Sequence, residues 1–478
     1  MIQPVSDPAS PASAAGPGSL PDRQNGRKAG AASLAALSWL NFLAALMQAG
    51  FGAFLVAYLT QQDWTRTSIG FALGAAMVAN MASQVPGGML VDWIESKRRA
   101  AAGAVLAIMT ASMLIAWAPL PGPVYLAVAL HGTANSVLVP AIAALTLLLS
   151  RQEKLGERFG HNVRFTAVGA ALAASIMGTI GAGLSYRAIY CLAALCALPG
   201  LAAIFCIRVA DLNTAHLRAS HAAALHPRHR SQRQRTLSEV FRDPALLVFA
   251  ALGVVFQLGN TGMLPLAAGA ITRGFHGLPD PMLSDLSPLL PHLAVRIPVL
   301  VVSAWIVAPQ LLAAWLSPRL GQQAQLRNRR HMLLLAASME ALRAVLFAVT
   351  SNPAMMIVFQ LLDGIATAIL AIMVPLVVAD ITHRGGRFNL AIGIIGLASG
   401  IGGALSMGFG GMLADRIGET GTFLAFGGIG VAACLLVVLF MPDTRQMPHP
   451  APAAAQRHAH PGAHRHAGDR DKAWEKPP

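Results

Sequence analysis

Charge is what this sequence has least of. Asp, Glu, Lys and Arg make up 12% of its 478 residues, against about 25% in an ordinary soluble domain. So few charges cannot coat a water-soluble body of this length, whereas a lipid-facing surface needs no such coat. Cysteine is nearly absent too. Cys191, Cys196, Cys206 and Cys434 all fall inside apolar runs. None has zinc-ligand spacing, so they read as small core residues rather than a disulfide framework. The first 30 residues, rich in Pro, Ala, Ser and Gly, lack the basic start and apolar core of a signal peptide. No Gly-x-x-x-x-Gly-Lys-Ser/Thr loop is present to cradle nucleotide phosphates. Neither a His-Glu-x-x-His helix nor a Gly-x-Ser-x-Gly elbow occurs, so no enzyme and no cofactor is expected.

What is abundant is apolar: 55% of residues, with 45 glycines, a residue frequent in membrane helices. A spanning helix needs about 20 mostly apolar residues. Twelve such runs are predicted, at 33–60, 68–92, 100–118, 122–150, 163–185, 188–208, 244–271, 297–318, 331–350, 353–380, 388–413 and 421–441. The predicted class is therefore all-α, a polytopic membrane protein. Two six-helix bundles, 33–208 and 244–441, are joined by a basic linker at 209–243. Disordered tails are expected at 1–32 and 442–478.

The net charge of +14 does not point to nucleic acid, because the basic residues form no basic helix or aromatic-interleaved patch. They sit in alternate gaps between spans. Lys97, Arg98 and Arg99 fill the second gap, Arg151, Lys154 and Arg158 the fourth, and Arg327, Arg329 and Arg330 the eighth. The other set of gaps holds only Arg66, Arg187, Arg273, Arg296 and Arg416. By the positive-inside rule, both termini are expected in the cytoplasm. Two local echoes suggest an internal repeat. Leu130-His131-Gly132 in the fourth span parallels Leu362-Asp363-Gly364 in the tenth, and Arg164-Phe165 parallels Arg387-Phe388. Paired six-helix halves are a known transporter design.

The gap after the second span reads Gly87-Gly88-Met89-Leu90-Val91-Asp92-Trp93-Ile94-Glu95-Ser96-Lys97-Arg98-Arg99. This resembles the signature of the major facilitator superfamily, through Gly88, Leu90, Asp92, Lys97 and Arg98. Glu95 stands where that family usually has glycine. The resemblance covers residues 33–441, and Asp380-Ile381-Thr382 and Gly386-Arg387-Phe388-Asn389-Leu390 are similar to a bacterial branch of it. It implies a secondary transporter working by alternating access, in which these five residues latch two helices together in one conformation. A carboxylate at a helix end can pair across a gap that opens and closes; the plainer alternative is a basic loop that only fixes topology. Gly411-Met412-Leu413-Ala414-Asp415-Arg416-Ile417-Gly418 is also similar to the signature, but lies on the opposite side and reads as a turn. The family's drug–proton antiporters carry an arginine in the fourth span, where this chain has Val128. They also carry a glycine-proline pair in the fifth, absent from Gly178–Gly183.

Ionisable residues inside a bilayer are costly, so each is a functional candidate. Asp363 lies about ten residues, or roughly 15 Å, into the tenth span. Arg343 in the ninth could reach it, and Glu340 precedes Arg343 by one turn. His131 occupies the place in the fourth span that Asp363 holds in the tenth. These four are the candidates for proton coupling; the alternatives are a static ion pair and a neutral histidine bonded to a helix backbone. The resemblance implies that the first, fourth, seventh and tenth helices line a central cavity. Asn41, Gln48, Asn135, Gln257, Asn260 and Gln360 fall there, either as substrate ligands or as interhelical glue.

Histidines gather in the linker (His216, His221, His226, His229) and the C-terminal tail (His449, His458, His460, His464, His466). Such tracts can bind metal, but their spacing is irregular and no metal site is assigned. The expected function is secondary active transport of a small molecule, proton-coupled, with efflux one possible direction. Divalent-metal efflux through the tail, and a non-transporting receptor or scaffold on the same fold, are the alternatives. The expected partners are a small-molecule substrate, protons and the lipid bilayer, with the chain acting as a monomer in the bacterial inner membrane.

Overall fold

The computed structural model describes residues 20–51, 53–212, 237–267, 291–350, 352–382 and 387–441. Every regular element among them is helical. In chain order these are α1 (Leu20–Gln48), α2 (Ala53–Gln61), α3 (Arg66–Trp93), α4 (Lys97–Trp117), α5 (Pro121–Leu149), α6 (Leu155–Gly183) and α7 (Tyr186–Cys206). After the linker come α8 (Leu237–Phe241), α9 (Pro244–Asn260), α10 (Pro291–Leu326), α11 (Arg329–Ala348), α12 (Pro353–Thr382) and α13 (Phe388–Phe440). Polar residues set several starts. Thr65 accepts from the Ser68 amide before α3, Asp243 from Ala245 and Leu246 before α9, and Asn328 from Arg330 before α11, as N-caps do.

Among the described residues, ten helices are long and apolar enough to cross a bilayer. One of them, α13, folds back on itself. Gly418 has φ 76° and ψ 173°, a backbone that a side chain would strain. A Cβ on Gly410 would touch the Phe426 ring at 3.1 Å, which a straight helix could not allow. So α13 supplies two crossings, and α10, 36 residues long, supplies the twelfth. Helix contacts are built from small residues, such as Ala100, Ala101, Ala104 and Ala111 on α4. Many large apolar side chains also face outward: Leu126, Leu195, Leu311 and Leu435 are each more than half exposed. Small residues at the contacts and apolar side chains on the outside are what helices show when lipid covers them.

The helices form two bundles, α1–α7 and α9–α13, and one offset along the chain relates them. Arg98, at the start of α4, donates to the Ile204 and Phe205 carbonyls at the end of α7, at 3.2 and 3.1 Å. At that offset, Arg330 at the start of α11 donates to the Val438 carbonyl at the end of α13. Gly132 packs against the α3 backbone at Ala76 and Asn80, and Gly364 against the α10 backbone at Pro309. The bundles meet where α6 packs on α10 and α3 on α13.

Three expectations change. Helix α1 begins at Leu20, inside the stretch expected to be a disordered tail; residues 1–19 lie outside the described residues, as do 213–236 of the linker and the whole tail 442–478. The first span is not one helix: it breaks between Gln48 and Ala53, where Tyr190 on α7 donates to the Gly50 carbonyl at 3.1 Å. The seventh breaks at Thr261–Gly262, where the Gly262 amide donates to Ser406 at 2.7 Å. Broken backbone is tolerated at membrane depth where protein satisfies it.

Candidate functional site

Between the bundles lies a cavity of about 530 Å³. Helix α1 contributes Asn41 and Gln48, α5 Thr146, α6 Phe159, Asn162 and Thr166. From the other bundle, α9 contributes Phe249, Phe256 and Gln257, α12 Thr367, and α13 Ser399. Of the amides expected on the wall, Asn41, Gln48 and Gln257 lie there, whereas Asn135, Asn260 and Gln360 are not among the lining residues.

The floor of the cavity is where the bundles touch, at the end carrying Lys97, Arg98, Arg327 and Arg330, hereafter the basic end. Asn389 precedes the lining residue Ile392 by one turn of α13. Asp92, at the end of α3, accepts from the Asn389 amide and side chain at 3.2 and 2.7 Å, and from the Leu390 amide at 2.9 Å. The N-terminus of α13 has no side-chain cap of its own, since Arg387 precedes it with φ 62°. A carboxylate from the other bundle therefore satisfies its free amides and its positive dipole end. Gly88 leaves no room for a Cβ against the Asn389 carbonyl. Lys97 donates to the Val91 and Ile94 carbonyls at 2.6 and 2.7 Å, closing the end of α3, while Leu90 is exposed. On the other side of the floor Gly321 of α10 lies against Gly156 and Gly160 of α6, again without room for a Cβ. The Gly156 amide donates to Gln325 at 2.9 Å.

The charged residues lie one turn beyond the opposite side of the cavity. Asp363 precedes Thr367 on α12, and Thr367 donates back to its carbonyl at 2.6 Å. Arg343, 2% exposed, pairs with Asp363 at 2.7 Å. It also donates to Asn260, three residues past the lining Gln257, and to Gln360 at 3.4 Å. Glu340 is 1% exposed, lies against Gly259, and neither of its carboxylate oxygens has a hydrogen-bond partner. Sequence reasoning grouped these residues by depth and helix spacing; that Asn260 and Gln360 serve the arginine is a tertiary fact.

In the first bundle His131 stacks on Phe51, with ring centroids 3.7 Å apart and planes 10° from parallel. Phe51 sits at the break of the first span, so the break delivers the ring. The His131 Nε2 and Asn135 Oδ1 atoms are buried without a hydrogen-bond partner. His131 and Asp363 thus hold equivalent positions but different surroundings.

Two functional-looking residues escaped the sequence reading. Asn162 is 5% exposed and on the cavity wall, but the fifth apolar run was taken to begin one residue later, whereas α6 starts at Leu155. Gln84 on α3 fills the space beside Gly393 and Gly396 of α13 and donates to Asn80 at 3.0 Å; an amide in an apolar stretch was its signal. The histidines of the linker and tail lie outside the described residues, among which no cluster of metal-ligating side chains occurs.

Two pseudo-symmetric bundles around a central cavity define a membrane transporter of twelve helices. Residues 37–284 and 281–475 match the Major Facilitator Superfamily, and the chain belongs to that family. Two uncharacterized MFS-type transporters of Mycobacterium tuberculosis, from strains CDC 1551 and H37Rv, are each 30% identical to it over 411 residues, 86% of this chain and 93% of theirs. Among solved structures, the proton:xylose symporter XylE bound to 6-bromo-6-deoxy-D-glucose is similar with a TM-score of 0.66 at 12% identity, covering 87% of this chain and 96% of that one. The human organic anion transporter MFSD10 is similar with a TM-score of 0.61 at 13% identity, covering 86% and 99%. At such identities the likeness is one of fold.

Proposed function

We propose that this transporter is a proton-coupled secondary carrier of a small molecule, working by alternating access across a bacterial inner membrane. The observation that carries the reading is the cluster of buried Arg343 and Glu340 with partly buried Asp363, one turn from the cavity wall. It holds two carboxylates and one guanidinium, so a single proton makes it neutral. Buried net charge is costly in a bilayer, which gives the protein reason to bind and release that proton as the cavity changes its exposure. Arg343 can pair with either carboxylate, since Glu340 lies one turn before it on α11. Protonation of Asp363 releases the arginine, and through Asn260 and Thr367 the change reaches helices that line the cavity. His131 offers a second titratable group at the equivalent place of the other bundle.

The clustering of lysine and arginine at the basic end supports placing that end, and both termini, in the cytoplasm. In this arrangement the bundles are joined at that end, and the Asp92 cap on α13, with Gly88, Lys97 and Arg98 shaping its surroundings, is the latch that holds it shut. Opening costs the free amides of Asn389 and Leu390 their acceptor.

The test is substrate-induced proton movement in sealed proteoliposomes, followed with a pH-sensitive dye over a panel of antibiotics, sugars, organic acids and divalent metals. Asp363→Asn is expected to abolish gradient-driven uptake of a responding compound and to leave its exchange intact. Undiminished driven uptake by that variant removes Asp363 from the coupling.

A further inference from the structure

Among the described residues, the wall of the cavity holds no aspartate, glutamate, lysine, arginine or histidine. An ion entering it would give up its water with no opposite charge to receive it, at a cost no hydroxyl or amide offsets. Much of the wall is apolar, with Phe159 from α6 and Phe249 and Phe256 from α9. Its volume of about 530 Å³ falls in the range of sites that enclose drug-sized molecules.

Three threonines of the wall are committed in one direction. Thr146, Thr166 and Thr367 each donate their hydroxyl proton to a carbonyl of their own helix, at 2.8, 3.1 and 2.6 Å. What these hydroxyls leave over is acceptor capacity. Asn162 completes the pattern. Its Nδ2 donates to Thr146 Oγ1 at 2.9 Å. Because the Thr146 proton is already given to Ile142, that oxygen can only accept, which fixes the amide with its NH₂ toward Thr146. The Asn162 Oδ1 is then a buried acceptor with no partner, on a residue 5% exposed. Such an unmatched group is unfavourable until a donor arrives.

We propose that the cavity receives an uncharged, mostly apolar molecule of drug-like size whose hydroxyl or N–H group donates to Asn162 Oδ1. This deepens the transport reading and rests on it for the role of the cavity, though not for its chemistry. It sets the substrate apart from metal cations, carboxylates and phosphates.

The test uses three probes on one scaffold: estradiol, its 3,17-dimethyl ether and its 3-sulfate. They share one steroid skeleton: the ether has no donor, and the sulfate keeps the 17-hydroxyl but adds a charge. Binding of each tritiated probe to the full chain in nanodiscs is measured, for wild type, Asn162→Ala and Asn162→Asp. The expected order is estradiol tightest, with the ether and the sulfate weaker. Loss of one neutral hydrogen bond should weaken estradiol binding to Asn162→Ala by roughly threefold to tenfold. Because Asn162→Ala also removes the hydrogen bond to Thr146, the near-isosteric Asn162→Asp supplies the second arm. It gives up the same N–H donor, with the Thr146 hydroxyl free to turn and donate to the carboxylate, but it keeps an acceptor for the ligand and should retain estradiol binding while rejecting the sulfate further. Tightest binding of the sulfate, equal binding of ether and estradiol, no binding of any probe, or no change in Asn162→Ala each overturns the proposal. Transport is read separately. Proton-linked flux of a charged compound would leave the carrier reading intact and sink this one, whereas Asn162-dependent estradiol binding without any flux would do the reverse.

Discussion

Asp92 and Asn389, one from each bundle, are joined by two hydrogen bonds, from the Asn389 amide at 3.2 Å and its side chain at 2.7 Å. The carboxylate of one half thereby caps a helix of the other, and the contact exists only while the two halves meet at the basic end.

Removing that cap should shift the protein toward separation of the basic ends. A helix N-cap contributes about 1 kcal/mol, so Asp92→Ala should change the ratio of closed to open forms about fivefold. Spin labels at the exposed positions Glu95 and Arg327, one in each bundle, report the separation by pulsed electron resonance. A distance distribution identical to that of wild type rules out the latch.

A crowded floor should act the same way from the other side. Gly321 has no space for a Cβ between Gly156 and Gly160. Gly321→Val must push α10 off α6, at about 1–3 kcal/mol for overpacking. The expected results are a lower thermal midpoint and faster alkylation of a cysteine placed at Thr166 on the cavity wall. An unaltered midpoint and labelling rate would mean that the helices part there without cost.

The Arg343–Asp363 pair separates structural from coupling roles through a double variant. Arg343→Met leaves a buried carboxylate without its partner, a loss of about 3–5 kcal/mol, and should lower the thermal midpoint strongly. Combining it with Asp363→Leu, on a Glu340→Gln background that leaves no carboxylate behind, removes every charge of the cluster and should recover most of the stability, while proton-driven transport stays absent. If the stable double variant still concentrates substrate, the pair serves packing alone.

Tyr190 should matter more than its position on α7 suggests. Its hydroxyl donates to the Gly50 carbonyl in the break of the first span. Tyr190→Phe strands that buried carbonyl at about 1–3 kcal/mol. It should also loosen Phe51, whose ring meets Tyr190 edge-on at 5.9 Å and stacks on His131. Hydrogen exchange at residues 49–51 reads the break directly, and protection equal to wild type would show that another donor takes over.

The sequence by itself determined the class. Scarcity of charge, twelve apolar runs and basic clusters in alternate gaps suffice because a bilayer demands long helices with internally satisfied backbones. It also placed His131 and Asp363 at equivalent positions of the two halves, through the echo of Leu130-His131-Gly132 in Leu362-Asp363-Gly364, while Gly88-x-Leu90-x-Asp92 carried the resemblance to the family. The breaks in the first and seventh spans were not legible. They depend on Tyr190 and Ser406, donors and acceptors from distant helices, and hydropathy does not register a short interruption of the backbone inside an apolar run. Nor could sequence reveal that Asp92 caps α13 or that Arg343 gathers Asn260 and Gln360, because side chains far apart along the chain meet only once the bundles are assembled. Asn162 shows the same division. Its amide was visible, but its orientation, its unmatched oxygen and its place on an uncharged wall follow from Thr146 across a helix gap, where packing decides which polar atoms are left without a partner.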